Sequence, residues 1–289
     1  MEHGVIGPEN AATGVGFAGW RTLSTLQPIR SVVSHDHDPE YESHRDAAVG
    51  ALADRAYERA GDHYARAAWA DLAGDDAGRN PFEPETRGTV GVGLGHLTVG
   101  VVAYRVAGRD RRASRRGVEG VAVARDLRDA ALEEPVQRAC LTEFVGDLRA
   151  AAGLDAGDEY ASAAEAYEEA APTDPVEWAT TPLFEGANRA VQQVARGLAD
   201  GEIAVAWDDL HGPDPDQGGA YLAHRPRYKS RRFAGLVDRA AEAGHLAAPR
   251  GTTEYGNERH RCPACDSRDV NWVGGDTLCL RCSTRMDHE

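Results

Sequence analysis

Four cysteines near the C-terminus constrain this chain more than any other feature. They form two C-x2-C pairs, Cys262/Cys265 and Cys279/Cys282, which are separated by 13 residues. Each pair can turn tightly enough to present two thiolates to one ion, and a hairpin between the pairs completes a tetrahedron of sulfur ligands. This spacing predicts one Zn²⁺. Because four protein ligands leave no position for water or substrate, we expect the ion to be structural rather than hydrolytic.

The residues between the pairs support a hairpin. Asp269–Val273 reads as a strand, Gly274–Asp276 as a turn and Thr277–Leu280 as the return strand. With its C-P-A-C opening, the segment 262–289 resembles the rubredoxin-type zinc ribbon family. Asp266 stands where that family favours a glycine with positive φ, a conformation that Asp tolerates better than most residues. Iron, as in rubredoxin itself, and a redox or disulfide role remain open for the same four thiols.

The charge composition is unusual. The net charge is −15, and the 32 basic residues are 31 arginines and a single lysine, Lys229. Acid excess with almost no lysine resembles the proteins of extreme halophiles, in which carboxylates keep the surface hydrated and salt screens their repulsion. An ordinary acidic protein from a GC-rich genome is the alternative. In either case the charge reflects the solvent and gives poor support for a cationic partner.

Targeting signals are missing from the sequence. No stretch approaches the roughly 20 apolar residues that a membrane-spanning helix needs. The segment Met1–Gly19 has no basic residues before its apolar ones, as a signal peptide would. Five cysteines make an odd count for a secreted disulfide framework. We therefore expect a cytoplasmic protein without membrane contact. The sequence does not indicate whether the protein is a monomer or an oligomer.

Composition divides the chain into four parts. Residues 1–40 lack periodicity and are predicted to be a flexible tail, whereas 41–211 are Ala-rich and helical. The Pro- and Gly-rich run 212–219 marks the best linker. Residues 220–289 combine a second helical segment, Arg227–Ala243, with the ribbon. The predicted fold is mainly α, an antiparallel helix-pair array followed by a small β zinc ribbon.

Three helical segments share a repeating pattern. Candidate turn glycines Gly61, Gly108 and Gly153 lie 47 and 45 residues apart, and the spacing A-x3-Y-x2-A-x4-P runs from Ala163 to Pro175. This pattern resembles the tetratricopeptide repeat, in which a small Ala lets paired helices pack closely, although the usual period is about 34 residues. The resemblance implies stacked helix pairs with a concave, peptide-binding face. An unrelated helical bundle is the alternative.

Two basic clusters stand out against the acidic background, Arg109–Arg116 and Arg225–Arg232. The second supplies the candidate binding residues Arg225, Arg227, Lys229, Arg231 and Arg232. Phosphate contact is one use for such a cluster. Five contacts would, however, lose roughly six decades of affinity between about 0.2 M and about 4 M salt. Pairing with carboxylates of the same chain or of a protein partner is the favoured interpretation.

Sequence motifs for catalysis are missing. Val90–Leu97 is Gly-rich but lacks the residues of a phosphate-binding loop. The polar run Ser34–His44 contains three histidines without completing a metallo-hydrolase pattern, and adventitious metal binding is expected there. Cys140 reads as a small buried hydrophobe. We therefore predict no catalytic residue and a non-enzymatic adaptor that binds a protein partner; a nucleic-acid-associated regulator is the alternative.

The second helical segment and the ribbon are each too small to bury their own apolar residues. We expect them to form one C-terminal module hinged at Gly212–Gly219, with Trp272 and Leu246 as contacts. The alternative is that the helix caps the array and the ribbon hangs on a tether at Pro249–Asn257.

Overall fold

A computed structural model of the chain describes residues 39–73, 81–82 and 88–288, and it confirms the mainly α fold with a small C-terminal sheet. Of the predicted tail, residues 1–38 lie outside the described part, and residues 39 and 40 belong to the first helix. The helices in the described part are α1 Pro39–Ala53, α2 Tyr57–Ala73, α3 Thr89–Val106, α4 Asp110–Ala130, α5 Pro135–Ala151, α6 Gly157–Ala170, α7 Pro175–Ala179, α8 Pro182–Gly197, α9 Trp207–Leu210 and α10 Gly219–Ala243.

Helix α3 is the centre of the helical domain. All but three of its 18 residues are buried, and it packs against α2, α4, α5, α8 and α10. Its glycines allow close backbone contact: a Cβ at Gly186 of α8 would lie 2.1 Å from the carbonyl oxygen of Gly91. The Gly-rich run is therefore a core helix. Among the described residues, α3 alone is long and apolar enough to cross a membrane, and its burial is that of a core helix.

Three helix pairs follow one another along the chain: α1 with α2, α3 with α4, and α5 with α6. Gly108 and Gly153 lie at the second and third turns with φ of 67° and 73°, as predicted. The assignment of Gly61 to a turn is wrong, because it lies inside α2, where the ring of Tyr104 covers it. The first turn instead uses Arg55, with φ of 55°.

Packing between distant helices closes this array. Helix α8 packs on α3 and α5, while α10 packs on α3, α5, α6 and α8. A solenoid repeat contacts only its neighbours in the sequence. These contacts between helices far apart in the sequence are typical of a helical bundle, the alternative fold. The tetratricopeptide resemblance stays a prediction.

The predicted boundary at Gly212–Gly219 is wrong. The described residues form one compact unit, and α10 starts at Gly219, eight residues earlier than predicted. Gly219 contacts the backbone of Tyr167 in α6. Phe233 and Val237 of α10 are buried in the same core as residues of α3 and α8. The apolar face of α10 is therefore buried against the helical domain. Residues 220–289 do not form a separate module.

The ribbon contains a three-stranded antiparallel sheet in the order β1-β3-β4 and a two-stranded sheet of β2 and β5. The strands are β1 Thr252–Glu254, β2 His260–Arg261, β3 Val270–Val273, β4 Asp276–Cys279 and β5 Asp287–His288. The predicted hairpin is confirmed: β3 and β4 pair with Val273 opposite Asp276. Gly274 and Gly275 make the turn with φ of 61° and 73°, which L side chains rarely adopt.

Candidate metal centre and a buried ion network

The structure brings the four predicted cysteines together. Their Sγ atoms all lie within 4.8 Å of one another. The Cys262–Cys282 and Cys265–Cys279 separations are both 3.5 Å, too long for a disulfide. A tetrahedral ion with metal–sulfur bonds of about 2.3 Å has sulfur–sulfur edges of about 3.8 Å. The four residues therefore fit a metal ion in a complete tetrahedral set.

Two matching backbone turns hold the thiols. In the first, the N–H of Asp266 donates to the carbonyl of Cys262; in the second, the N–H of Ser283 donates to that of Cys279. Asp266 and Ser283 have φ of 65° and 59°, so the positive φ predicted at Asp266 is confirmed. The repeated geometry aims two sulfur atoms from each turn at one point.

Local hydrogen bonds influence the protonation of the thiols. The Cys279 Sγ–H, with Thr284 assisting, lowers the pKa of Cys282, although burial opposes the shift, and the same contact, together with burial, raises the pKa of Cys279. Burial raises the pKa of Cys262, whereas the backbone N–H groups of Ala264 and Cys265 favour its thiolate. N–H groups directed at sulfur stabilise the ligand form, so these turns are arranged for a cation.

The ribbon is docked on the helical domain rather than tethered. Val273 and Leu278 belong to the same buried apolar core as residues of α1, α2, α3, α8 and α10. Two cross-domain ion pairs add to this contact, Arg285 with Asp54 and Arg281 with Glu202. The tether alternative at Pro249–Asn257 is therefore wrong for this structure. Predicted contact Leu246 is buried in that core, and Trp272 is half-buried.

No protein-family model matches the chain, and no significant match was found among the curated proteins or the solved structures. The interpretation of the site therefore rests on the arrangement of the residues in this chain.

Of the five candidate binding residues in Arg225–Arg232, two lie inside the protein, where they pair with carboxylates of the same chain. Arg225 and Lys229 are each 1% exposed and point into the helical domain. Arg227 pairs with Glu168 on the surface. Arg231 and Arg232 are exposed, and no carboxylate lies within ion-pair distance of either among the described residues.

Arg225 and Lys229 instead belong to a buried ion network that the sequence analysis missed. Arg225 donates to both carboxylate oxygens of Glu143 at 2.7 and 2.8 Å, and Lys229 lies 2.8 Å from Glu143 and 2.6 Å from Asp147. Burial opposes ionisation of Glu143, but the two cations lower its pKa. A signal was present: Glu143/Asp147 and Arg225/Lys229 are both i, i+4 pairs, so each pair shares one helix face.

Buried polar partners complete this network. The hydroxyls of Tyr160 and Tyr167 donate to Asp147 and Glu143 at 2.8 and 2.9 Å. Arg225 also donates to Asn188 at 3.2 Å. Satisfied on all sides, the network fixes the register of α5, α6, α8 and α10. Its groups lack the exposure that a substrate would need.

The other basic cluster is largely paired within the chain. Arg109 and Arg112 both bind Glu58 at 2.8 Å, and Arg115 and Arg116 bind Glu119. The interpretation that these arginines pair with carboxylates of the chain is confirmed for these four.

The remaining candidate residues, Cys140 and His44, lie on helices. Cys140 is fully buried, and burial raises its pKa to about 12, as fits a small hydrophobe. His44 lies on α1, 3.5 Å from the ring nitrogen of His63, while residues 34–38 of the predicted polar run lie outside the described part. Within the described ranges, the four cysteines are the only group of three or more potential metal-binding side chains brought together.

Proposed function

We propose that this protein is a non-enzymatic, cytoplasmic adaptor whose zinc ribbon is a structural part of a protein-binding surface. The observation that carries the proposal is the four-cysteine cluster: four protein thiolates fill a tetrahedral coordination sphere and leave no position for substrate. Zinc is the ion of choice for such a site because it is redox-inert and suits sulfur in tetrahedral geometry.

The metal centre supports the rest of the ribbon. The ribbon's short strands enclose little core of their own, so metal binding contributes directly to their folding. Leu278 and Leu280, which flank a ligand, are buried, and Gly201 of the helical domain touches the backbone of Leu280. Zinc therefore stabilises the ribbon and the surface at its junction with the helices.

Exposed apolar side chains at that junction support a protein partner. Ile203 is 62% and Tyr255 is 52% exposed. Both belong to the same junction, because the Tyr255 hydroxyl donates at 3.1 Å to Glu202, the residue that precedes Ile203. Neighbouring exposed apolar groups rimmed by charge are typical of protein-binding surfaces.

Nucleic-acid binding has weaker support. Most arginines of the two basic clusters are paired within the chain, which leaves few unpaired cations in these clusters, and the chain carries a net charge of −15. The exposed residues Arg231 and Arg232 are what favour this second function. Both lie on α10, and the guanidinium of Arg232 lies over the ring of Tyr228 in a cation–π contact.

A pull-down in molar salt tests the proposal. Zinc-loaded, full-length protein is used as bait with and without nuclease, and Ile203→Asp is compared with Val118→Asp, a matched exposed position that is 56% exposed on α4. We expect a stoichiometric protein partner that resists nuclease, is lost with Ile203→Asp and is kept with Val118→Asp. A partner that disappears on nuclease treatment would favour the nucleic-acid function. Turnover of a metabolite would contradict both functions.

A further inference from the structure

Unpartnered polar atoms concentrate at one place in the described part of the molecule. Seven buried side-chain nitrogen or oxygen atoms there have no hydrogen-bond partner, and five belong to Arg196, Arg250 and Tyr64. All three nitrogens of the Arg196 guanidinium are among them, and the residue is 4% exposed. Buried polar groups are nearly always bonded, so this cluster needs an explanation.

The three side chains come from different elements, and Arg250 and Tyr64 both act electrostatically on the Arg196 guanidinium. Arg196 lies in the last turn of α8, and Tyr64 lies on α2 beside Gln193 of α8. Gln193 Nε2 donates to the carbonyl of Ala247 at 2.7 Å, which fixes α8 against the segment that carries Arg250. Arg250 is held from its other side, because its Nη2 donates to Thr253 Oγ1 at 3.1 Å and leaves Nη1 buried.

The cluster is positive and consists of donors. No carboxylate lies within ion-pair distance of Arg196 or Arg250 in the described residues. Burial, and then repulsion from Arg250, lowers the pKa of Arg196 to about 10, which still leaves it charged at neutral pH. Burial raises the pKa of Tyr64, so its hydroxyl keeps the proton that it can donate.

We propose that Arg196, Arg250 and Tyr64 form a binding site for one small anion between the helical domain and the segment entering the ribbon. A buried water could satisfy the donors, but it would leave two arginine charges close together and unbalanced, which is costly away from solvent. The donor nitrogens of Arg196 are shielded from solvent, so chloride and formate, which are small anions, are the ligands to test. Such an ion would join Arg250 to the helical domain, a role beyond the proposed adaptor function.

Thermal unfolding of the full chain with zinc bound tests this site. Midpoints are measured in sodium chloride, sodium formate and sodium gluconate at equal sodium concentration, because gluconate is a much larger anion than the other two. We expect a saturable rise in the midpoint with chloride or formate, and the two salts separate a spherical from a planar ion. Diffraction from bromide-soaked crystals should place an anomalous peak beside the Arg196 guanidinium.

Three variants complete the test. Arg196→Met should lose the anion-dependent rise, and the exposed control Arg231→Met should keep it. Tyr64→Phe removes one donor and should raise the half-saturating anion concentration roughly tenfold, so it carries the test if Arg196→Met does not fold. Equal midpoints in all three salts for the wild type, or an undiminished anion response in both Arg196→Met and Tyr64→Phe, would overturn the proposal.

Discussion

Lys229, the only lysine of the chain, places its Nζ 2.6 Å from Oδ2 of Asp147, and both side chains are buried. The same ammonium donates to the carbonyl of Ala187 at 2.7 Å, so the contact joins α5, α8 and α10. A chain that uses arginine at every other basic position has a compact ammonium where three short contacts converge. Lysine presents a point charge with three donors, whereas a planar guanidinium would need more room.

Lys229→Met should therefore destabilise the fold by about 3–5 kcal/mol, because it leaves the buried Asp147 carboxylate without its cation. The exposed Arg231→Met on the same helix is the control and should change stability by no more than about 0.5 kcal/mol. Chemical denaturation measures both. Equal stability of the two variants would show that the buried pair contributes little.

The pair of Asp71 and His96 should make stability depend on pH. The two side chains are 9% and 2% exposed, with Oδ2 and Nδ1 3.4 Å apart. Burial raises the pKa of Asp71 to about 8 and lowers that of His96 well below its usual value. Between about pH 6.5 and 8 the folded pair keeps one proton that the unfolded chain has lost. Stability contributed by the pair should thus fall by about 2 kcal/mol as the pH rises through this window.

Asp71→Asn tests the sign, since an amide cannot lose that proton. Denaturation curves between pH 6 and pH 9 should be flatter for Asp71→Asn than for the wild type. The solvent-exposed Asp126→Asn is the control and should keep the wild-type slope. Below about pH 6.5 the unfolded histidine gains a proton as the folded aspartic acid retains its own, so the pair contributes no slope down to about pH 4. A wild-type slope in Asp71→Asn would contradict this protonation state.

The close packing of α3 against α8 should require a glycine at position 186. Gly186→Ala would place a Cβ 2.1 Å from the backbone oxygen of Gly91, and the two helices would have to separate. We expect a loss of about 1–3 kcal/mol or more in thermal or chemical unfolding. Gly235→Ala is the control, because its Cβ would meet only Arg239 Nη1 at 3.7 Å on an exposed helix face. It should stabilise the protein by about 0.5–1 kcal/mol, and the reverse order of the two variants would contradict the packing described.

Local patterns predicted the cysteine pairs and the β3–β4 hairpin of the ribbon nearly to the residue, whereas β1, β2 and β5 were not predicted. The cysteine pairs and the Gly274–Gly275 turn are encoded within a short segment, and the resemblance to the rubredoxin-type zinc ribbon family implied the positive φ at Asp266. The helical domain could be predicted only as a class. Helix content follows from composition, but the closure of α8 and α10 onto α3 depends on contacts between residues far apart in the sequence.

The basic run at Arg225–Arg232 shows why that limit matters. Pairing with carboxylates was the favoured interpretation, but the sequence did not indicate which carboxylates, or that the pairs would be buried, since charged residues are mostly solvated. The two members that lie on one helix face, Arg225 and Lys229, meet a matching acidic pair more than 80 positions earlier. The i, i+4 spacing identifies the basic pair and the acidic pair separately, but it does not indicate that the two pairs contact each other.

The metal content of the purified protein tests the central claim most directly. Elemental analysis should find one zinc ion per chain, which Cys279→Ser should lose and Cys140→Ser should retain, because Cys140 lies in the helical core away from the other four cysteines. Zinc well below one ion per chain in the wild type, or unchanged zinc in Cys279→Ser, would contradict a four-thiolate structural zinc site.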